Sequence, residues 1–325
     1  MPLRPVPWAI GNGAENSVEL ARAVAAVASS GATGIVDPTD FKVVQTPTPG
    51  AAVRVRKGTG VVSSTYPGVF GQSYIVQEQS NTDVPVAATG SSGGAVKYVY
   101  VLITDTQYGG QTPPSVENGP YNAYSVTTTL PQNQPYLLLA KIDQPKSTAT
   151  ITNAMITDLR EVANPQILPV LRARPLIAAE TETLTVTAEI GEWFPNAGAE
   201  QRINIPTWAT RMIVEADWLM VREPSGNSYG QCWVEYGPWA ASGLREHSTQ
   251  RFQWNTANPS DVARNVWSVA DDRYVPAALR GTEQVFVMKA RLTGSTNNAA
   301  RPQLDGESGV KMRVTFLQLP DPSTT

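Results

Sequence analysis

The feature that most constrains the fold is a recurrent alternation of apolar and polar residues along much of the chain. Met312, Val314 and Phe316 alternate with polar residues near the C-terminus, and Phe286 and Met288 do so in an earlier segment. Successive side chains of a β-strand point to opposite faces, so this period predicts strands with one apolar face. The 25 glycines and 26 prolines provide turn residues between such strands. The sequence therefore predicts a mainly β protein.

One stretch near the N-terminus has helical periodicity instead. Leu20, Val24 and Val27 follow one another with spacings of four and three, Asn16 is placed to cap the run, and Gly31 is placed to end it. The run is too short to be a coiled coil by itself. We favour packing of this apolar stripe against the protein's own sheet. Association of helices around a threefold axis is the alternative.

The length of 325 residues predicts two domains. Residues 1–31 are interpreted as an N-terminal arm and the short helix, and residues 32–163 as a β-rich module. Residues 164–175 contain three prolines and are interpreted as a connector. Residues 176–325 are predicted to form a jelly-roll-like β-sandwich. The arm carries Trp8, which we expect to dock on a neighbouring subunit, and a disordered terminus is the alternative.

Several strand patterns occur in the second domain, separated by turn residues. They cover residues 183–186, 201–205, 211–221, 231–236, 284–292 and 310–317. In the first module, residues 97–104 are almost entirely apolar and are predicted to form a central strand that is buried on both faces.

The chain offers few residues for catalysis or metal binding. Cys232 is the sole cysteine, which rules out an intrachain disulfide and a zinc site built on cysteines, and we expect it to be buried. His247 is the sole histidine, so a Ser-His-Asp or Cys-His mechanism would depend on it, and no GxSxG motif accompanies it. We expect His247 to lie in a surface loop. The chain is predicted to be no enzyme and to need no cofactor.

Charge and hydropathy also limit the partners. The net charge is −3 without a run of basic residues, so nucleic acid is not an expected partner. No apolar run is long enough to span a bilayer, and the N-terminus lacks the apolar core of a secretory signal. We therefore expect neither membrane insertion nor secretion, and expect assembly in the cytoplasm.

Acidic residues occur in two settings. Asp271 and Asp272 are adjacent, and a solvated turn is the preferred interpretation over a cation site or an acid pair. Glu215, Asp217 and Glu235 alternate with apolar residues and are interpreted as the outer face of a sandwich. A glycosidase-type carboxylate pair stays an open alternative at this point.

Aromatic residues are the strongest candidates for ligand binding. Seven of the eight tryptophans follow residue 190, and the segment YGQCWVEYGPW contains Tyr229, Tyr236 and Trp239. Aromatic faces bind sugars, and residues at strand ends and loops tend to carry binding functions. We assign most tryptophans to the core, whereas a core and a binding role are evenly balanced for Tyr236 and Trp239. Tyr229, Tyr236, Trp239 and His247 are the candidate ligand-binding residues.

Five short motifs follow one another within the first half of the chain. They are Thr39 to Gln45, Val53 to Gly60, Gly71 to Tyr74, Asp105 to Gly109, and Asp158 to Arg160. Their order resembles the N-terminal module of minor tail, baseplate and fibre proteins of long-tailed phages, especially phages of actinobacterial hosts. The resemblance covers about two fifths of the chain. It departs from the family where Gly93 to Lys97 replaces an Asn-Pro-Arg-apolar-Asp stretch.

The resemblance implies a structural protein of a virion, located at the tail tip or baseplate. The module would attach to other tail or baseplate proteins and would trimerise, with Trp8, Leu20, Val24 and Val27 as expected assembly contacts. The C-terminal domain would face the host and bind a cell-surface glycan or protein. A purely architectural role is the first alternative, and a glycan depolymerase or esterase is the second.

Overall fold

A computed structural model describes residues 16–175, 181–196, 200–238, 247–256, 260–293 and 300–321. The chain divides into two compact units, one of residues 1–165 with 319–325 and one of residues 166–318. Within the described residues, no helix combines the length and the apolar character required to cross a membrane.

The first unit contains three antiparallel sheets, with strand orders β1-β4-β5, β2-β3-β6 and β10-β9-β7-β8. The strands are β1 Gly34–Ile35, β2 Val43–Gly50, β3 Ala52–Val55, β4 Gly58–Ser63, β5 Ser73–Glu78, β6 Thr82–Pro85, β7 Ala95–Ile103, β8 Asn122–Thr127, β9 Tyr136–Gln144 and β10 Ile156–Asp158. The predicted central position of this strand is confirmed, since β7 lies between β8 and β9. Its burial on both faces was only partly right, because Val99, Val101 and Ile103 are buried whereas Tyr98 and Leu102 are half-buried.

The predicted helix is present as α1, Val18–Ala28. Its N-cap is Ser17 rather than Asn16, so the predicted cap was wrong by one residue. The helix ends at Ala28, and the predicted Gly31 lies in the turn that follows it. Gly31 has a φ of 73°, and its N–H donates to the Ala26 carbonyl at 2.7 Å, a bond typical of a helix C-terminus that ends in glycine.

The apolar stripe of α1 does not pack on the protein's own sheet, so that prediction was wrong. The helix lies against β5, but Ala26 is its buried residue. Val24 is 46% exposed, Val27 is 82% exposed and Leu20 is half-buried. Small alanines allow the helix to approach the sheet, which leaves the larger aliphatic side chains on the outside.

The motif residues of the first unit hold its parts together around two arginines. Arg22 of α1 donates to Asp105 Oδ2 at 3.1 Å and to the Tyr108 hydroxyl at 3.0 Å. The Tyr74 hydroxyl donates to the same Asp105 oxygen at 2.9 Å. This network connects the helix to two of the motifs, because Asp105 and Tyr108 belong to one and Tyr74 to another.

The second arginine is Arg160, whose side chain is fully buried. Its Nη2 lies 2.7 Å from Asp158, and its Nη1 donates to the Pro38 carbonyl at 3.2 Å and to the Asp40 carbonyl. A buried guanidinium needs such partners for most of its donors. The Asp-x-Arg motif therefore attaches the last segment of the first unit to the backbone around Asp40.

The second unit contains twelve strands in its described part. They are β11 Ile167–Pro175, β12 Glu182–Thr183, β13 Glu192–Trp193, β14 Glu200–Asn204, β15 Arg211–Glu223, β16 Ser228–Gly237, β17 His247–Ser248, β18 Phe252–Thr256, β19 Ala263–Tyr274, β20 Glu283–Leu292, β21 Gln303–Leu304 and β22 Gly309–Leu317. Each of the six segments predicted from the sequence overlaps one of these strands.

Eight of these strands form a jelly roll. One sheet has the antiparallel order β11-β22-β15-β19, and the other has the antiparallel order β14-β20-β16-β18. Numbered along the chain from one to eight, the sheets read 1-8-3-6 and 2-7-4-5, which is the double Greek-key arrangement of a jelly roll. The predicted fold, mainly β with a jelly-roll-like C-terminal sandwich, is confirmed.

The proposed connector at 164–175 was wrong for most of its length. Residues 167–175 form β11, the edge strand of the first sheet, paired with β22 over nine residues. The Gln166 carbonyl accepts from Gln318, so alternate residues face the partner strand and Pro169 faces the open edge. Proline has no N–H to donate, and an edge strand is the place where this is tolerated.

The core between the two sheets is rich in tryptophan. Trp218, Trp254 and Trp267 are buried in it, and the Trp254 and Trp267 rings stack with centroids 3.9 Å apart. Trp233 is also fully buried, on the opposite face of β16 from the core residues Cys232 and Val234. The core assignment is confirmed for the first three, whereas Trp233 lies outside this core.

Candidate ligand-binding cleft

A cleft of about 510 Å³ lies at one open edge of the jelly roll. In the described residues, β17 pairs with β16 alone and β19 pairs with β15 alone, so each is an edge strand of its sheet. The cleft lies where these edges face each other. It is lined by Tyr236, His247, Ser248, Asp272, Arg273, Tyr274 and Pro276.

Tyr236 and His247 form the inner wall of the cleft, and the buried Phe286 packs behind Tyr236. Tyr236 is directly opposite His247 of β17 on one side and Phe286 of β20 on the other. Side chains that are opposite across antiparallel strands point to the same face and touch. Both ring pairs stack with centroids 5.4 Å apart. Tyr236 is only 3% exposed, and this burial raises the pKa of its hydroxyl above the usual value.

The outer wall carries an exposed aromatic ring. Tyr274, at the end of β19, is 54% exposed, and the guanidinium of Arg211 lies over its ring at 5.0 Å from the centroid. Arg211 is held in turn by two hydrogen bonds to the Asp272 carboxylate, which raise the pKa of Arg211. This bidentate pairing fixes the guanidinium and leaves the tyrosine ring as a supported, solvent-facing surface.

The charged side chain between these walls is Arg273. Its Nε lies 2.7 Å from Asp271 Oδ2, an oxygen that also accepts from the Gln250 backbone N–H at 2.6 Å. Asp271 and Asp272 thus belong to strand β19 and not to a turn, so the turn prediction was wrong. As adjacent strand residues they point to opposite faces, and each pairs with its own arginine.

The structure brings together only part of the predicted ligand-binding set. Tyr236 and His247 lie side by side in the cleft, and His247 is a half-buried strand residue rather than a loop residue. Tyr229 lies near the opposite end of β16, opposite Asn255 and about 23 Å from Tyr236 at 3.3 Å per residue. Trp239 and Trp8 lie outside the described residues.

Sequence reasoning missed the residues of β19 and Arg211. Trp267 and Val269 alternate with polar residues before Asp271, and this period of two marks the strand. No local signal predicts that the end of this strand lies opposite His247, since that depends on how the two sheets are paired.

The acidic residues assigned to the outer face of the sandwich separate into two groups. Glu215 and Asp217 do face outward, where they pair with Arg313 at 3.7 Å and Lys311 at 2.6 Å. Glu235 also lies on the outer face as predicted, since it shares with Trp233 the face of β16 opposite to the core, but it is buried there. It lies 3.1 Å from the buried ammonium of Lys289 and accepts from Trp233 Nε1 at 2.9 Å.

The remaining candidates for chemistry are structural. Cys232 is buried as expected, and this burial raises the pKa of its thiol to about 12. Within the described residues, no group of three or more His, Cys, Asp or Glu side chains could hold a metal ion.

Comparisons with known proteins give distant matches in structure alone. No family model and no curated protein matches the chain. A structure of the infectious bursal disease virus Gx strain is 8% identical and covers 87% of this chain and 70% of its own, with a TM-score of 0.24. The VP2 subviral particle of infectious bursal disease virus is 11% identical and covers 89% and 71%, with a TM-score of 0.26. Scores this low carry no conclusion about what the chain does.

Proposed function

We propose that the protein is a structural component of a phage virion, located at the tail tip or baseplate. The first unit attaches it to other tail or baseplate proteins, and the jelly roll binds a glycan on the host surface. The cleft at the jelly-roll edge is the observation that carries the binding part. The motif order of the first unit supports the location in the tail.

The cleft has the composition of a sugar site. Tyr274 offers an exposed ring that Arg211 holds in place, and Ser248, Asp272 and Arg273 provide polar groups around it. Sugars are bound by stacking on aromatic faces while polar side chains fix their hydroxyls. Tyr236 is too deeply buried for a large contact, so its role is to support His247 and the cleft floor.

Binding of the fluorescently labelled full-length protein to actinobacterial cells and their purified cell-wall glycans tests this part. We expect saturable binding that Tyr274→Ala abolishes and that Tyr229→Ala leaves intact, because Tyr229 lies at the far end of β16. Tryptophan fluorescence of each variant confirms folding. Absence of binding across a panel of hosts, or equal loss in both variants, would refute this site.

We further propose that the protein assembles as a homotrimer through α1. Leu20, Val24 and Val27 form an apolar stripe with the spacing of a coiled-coil seam, and the last two are exposed in the single chain. Three such stripes around a threefold axis would bury one another. Closed cyclic symmetry also matches the symmetry of a phage tail.

Sedimentation equilibrium tests the trimer. We expect three times the mass of one chain for the wild type and a single-chain mass for Val24→Glu, Val27→Glu. The control is Val116→Glu, which also places a charge on an exposed valine of the first unit but outside α1. A monomeric wild type at micromolar concentration, or a trimer that survives the double substitution, contradicts assembly through this stripe.

The exposed stripe also favours a purely architectural role as the second candidate. In that case its occupant is another tail protein, and Phe70, which is 88% exposed, would add to the contact. Failure to bind any host glycan together with capture of a tail protein on α1 would favour this role.

A further inference from the structure

The Arg273 guanidinium has donors beyond those used in its ion pair with Asp271. Its Nε is buried and lies close to Asp271, but the N–H direction does not give a hydrogen bond. Its two terminal nitrogens have no acceptor among the described residues. The side chain is 35% exposed at the cleft, so these terminal nitrogens can meet an acceptor from outside the chain.

Asp271 forms an ion pair with Nε of this arginine, and its oxygens also accept two hydrogen bonds from the backbone. Oδ2 accepts from the Gln250 N–H at 2.6 Å, and Oδ1 accepts from the Asp272 N–H at 2.9 Å. The carboxylate is therefore fixed in an orientation set by β19 and the segment before β18. It supplies a counter-charge near Nε while the terminal nitrogens stay available.

The terminal nitrogens of Arg273 determine which chemical group can bind in the cleft. Its two terminal N–H groups form a planar fork that matches a carboxylate or a phosphate, and such charge-assisted pairs are stronger than bonds to neutral hydroxyls. Tyr274 lines the same cleft, but as the next residue of β19 it points to the opposite face of the strand and contacts a different part of the ligand from Arg273.

We propose that the cleft binds acidic sugars and that Arg273 binds their anionic group. This inference rests on the proposed glycan-binding function and adds the class of sugar. The anionic group is a carboxylate, as in a uronic acid, or a phosphate, as in a sugar phosphate. Arg211 does not compete for it, because Asp272 occupies that guanidinium through two bonds.

Saturation-transfer NMR and calorimetry on the full-length protein test the inference with glucuronic acid, glucose 6-phosphate and glucose. We expect the acidic sugars to bind about tenfold more tightly than glucose, with an affinity that falls as salt increases. A preference for the uronic acid or for the phosphate distinguishes the two sources of anionic group.

Two variants with opposite expected effects make the test specific. Arg273→Gln should remove the preference for acidic sugars over glucose. Asp271→Asn should strengthen binding of the acidic sugars, because it removes the counter-charge and keeps an oxygen for the Gln250 N–H. Arg202→Gln, on an exposed arginine of β14, is the control.

The results distinguish failure of the acidic-sugar inference from failure of the proposed host attachment. Equal binding of the three sugars, or a preference that survives Arg273→Gln, overturns the inference even where Tyr274→Ala still abolishes binding to cells. Binding of acidic sugars that depends on Arg273, without any binding to host cells, supports the inference and refutes the proposed host attachment.

Discussion

Removal of the Lys289 ammonium is expected to destabilise the second unit strongly. Lys289 and Glu235 have side chains only 2% and 8% exposed, with Nζ 3.1 Å from Oε2. Breaking a buried ion pair by changing one partner typically costs about 3–5 kcal/mol, since the other charge stays buried without its partner. In Lys289→Met, Glu235 keeps the hydrogen bond from Trp233, so we expect a loss near 3 kcal/mol, about the low end of that range.

Removal of the Glu235 carboxylate should lower the free energy of unfolding further than removal of the Lys289 ammonium. Glu235→Leu leaves a buried ammonium without its carboxylate and also leaves Trp233 Nε1 without its acceptor, so about 4–5 kcal/mol is expected. The double variant Glu235→Leu, Lys289→Met buries no charge and should cost only about 1–3 kcal/mol, the price of the unpaired indole N–H. A coupling energy of about 5 kcal/mol follows from these three values.

Urea unfolding followed by tryptophan fluorescence measures these changes. Seven of the eight tryptophans belong to the second unit, so the signal reports the unfolding of that unit within the full chain. Lys311→Met is the matched control, because Lys311 is 41% exposed and pairs with Asp217 at the surface, where about 0–1 kcal/mol is expected. A loss in the double variant equal to the sum of the single losses would refute the argument.

Four further outcomes are expected. Cys232 should resist thiol reagents at pH 8 in the native protein and react on unfolding, because burial raises its pKa to about 12. The hydrogen bonds with Arg264 lower the pKa of Asp305 to about 2. The stabilisation by the ionised Asp305 is therefore present above the unfolded-state pKa near 4 and is lost as the pH falls from about 4 towards 2. Acid unfolding should show this loss, and Asp305→Asn should remove it. Glu223→Gln should cost about 1–3 kcal/mol in the urea assay, because the buried carboxylate accepts from three side-chain donors and an amide brings a donor among them. Pro169→Val should increase self-association by light scattering, because it adds a donor to the open edge of β11; unchanged scattering would contradict this account of the proline.

Much of the fold could be predicted from the sequence because strand formation leaves a local signal. The alternation around Phe286 and Val314 reflects which face of each strand meets the core, and this is a property of neighbouring residues. The helix near Leu20 is recognisable for the same reason. Its outward-facing stripe was not, because periodicity shows that a face is apolar and does not show what covers it.

The sequence by itself determined the strands, the helix and the two-unit, mainly β organisation of this protein. The tertiary structure alone decided that β11 is a jelly-roll edge strand, since prolines break a local pattern and only the pairing with β22 shows that Pro169 faces outward. The tertiary structure also decided where the cleft forms and which residues line it. Tyr274 and His247 lie on different sheets, and their approach depends on contacts between strands that are distant in the chain, which no local pattern encodes.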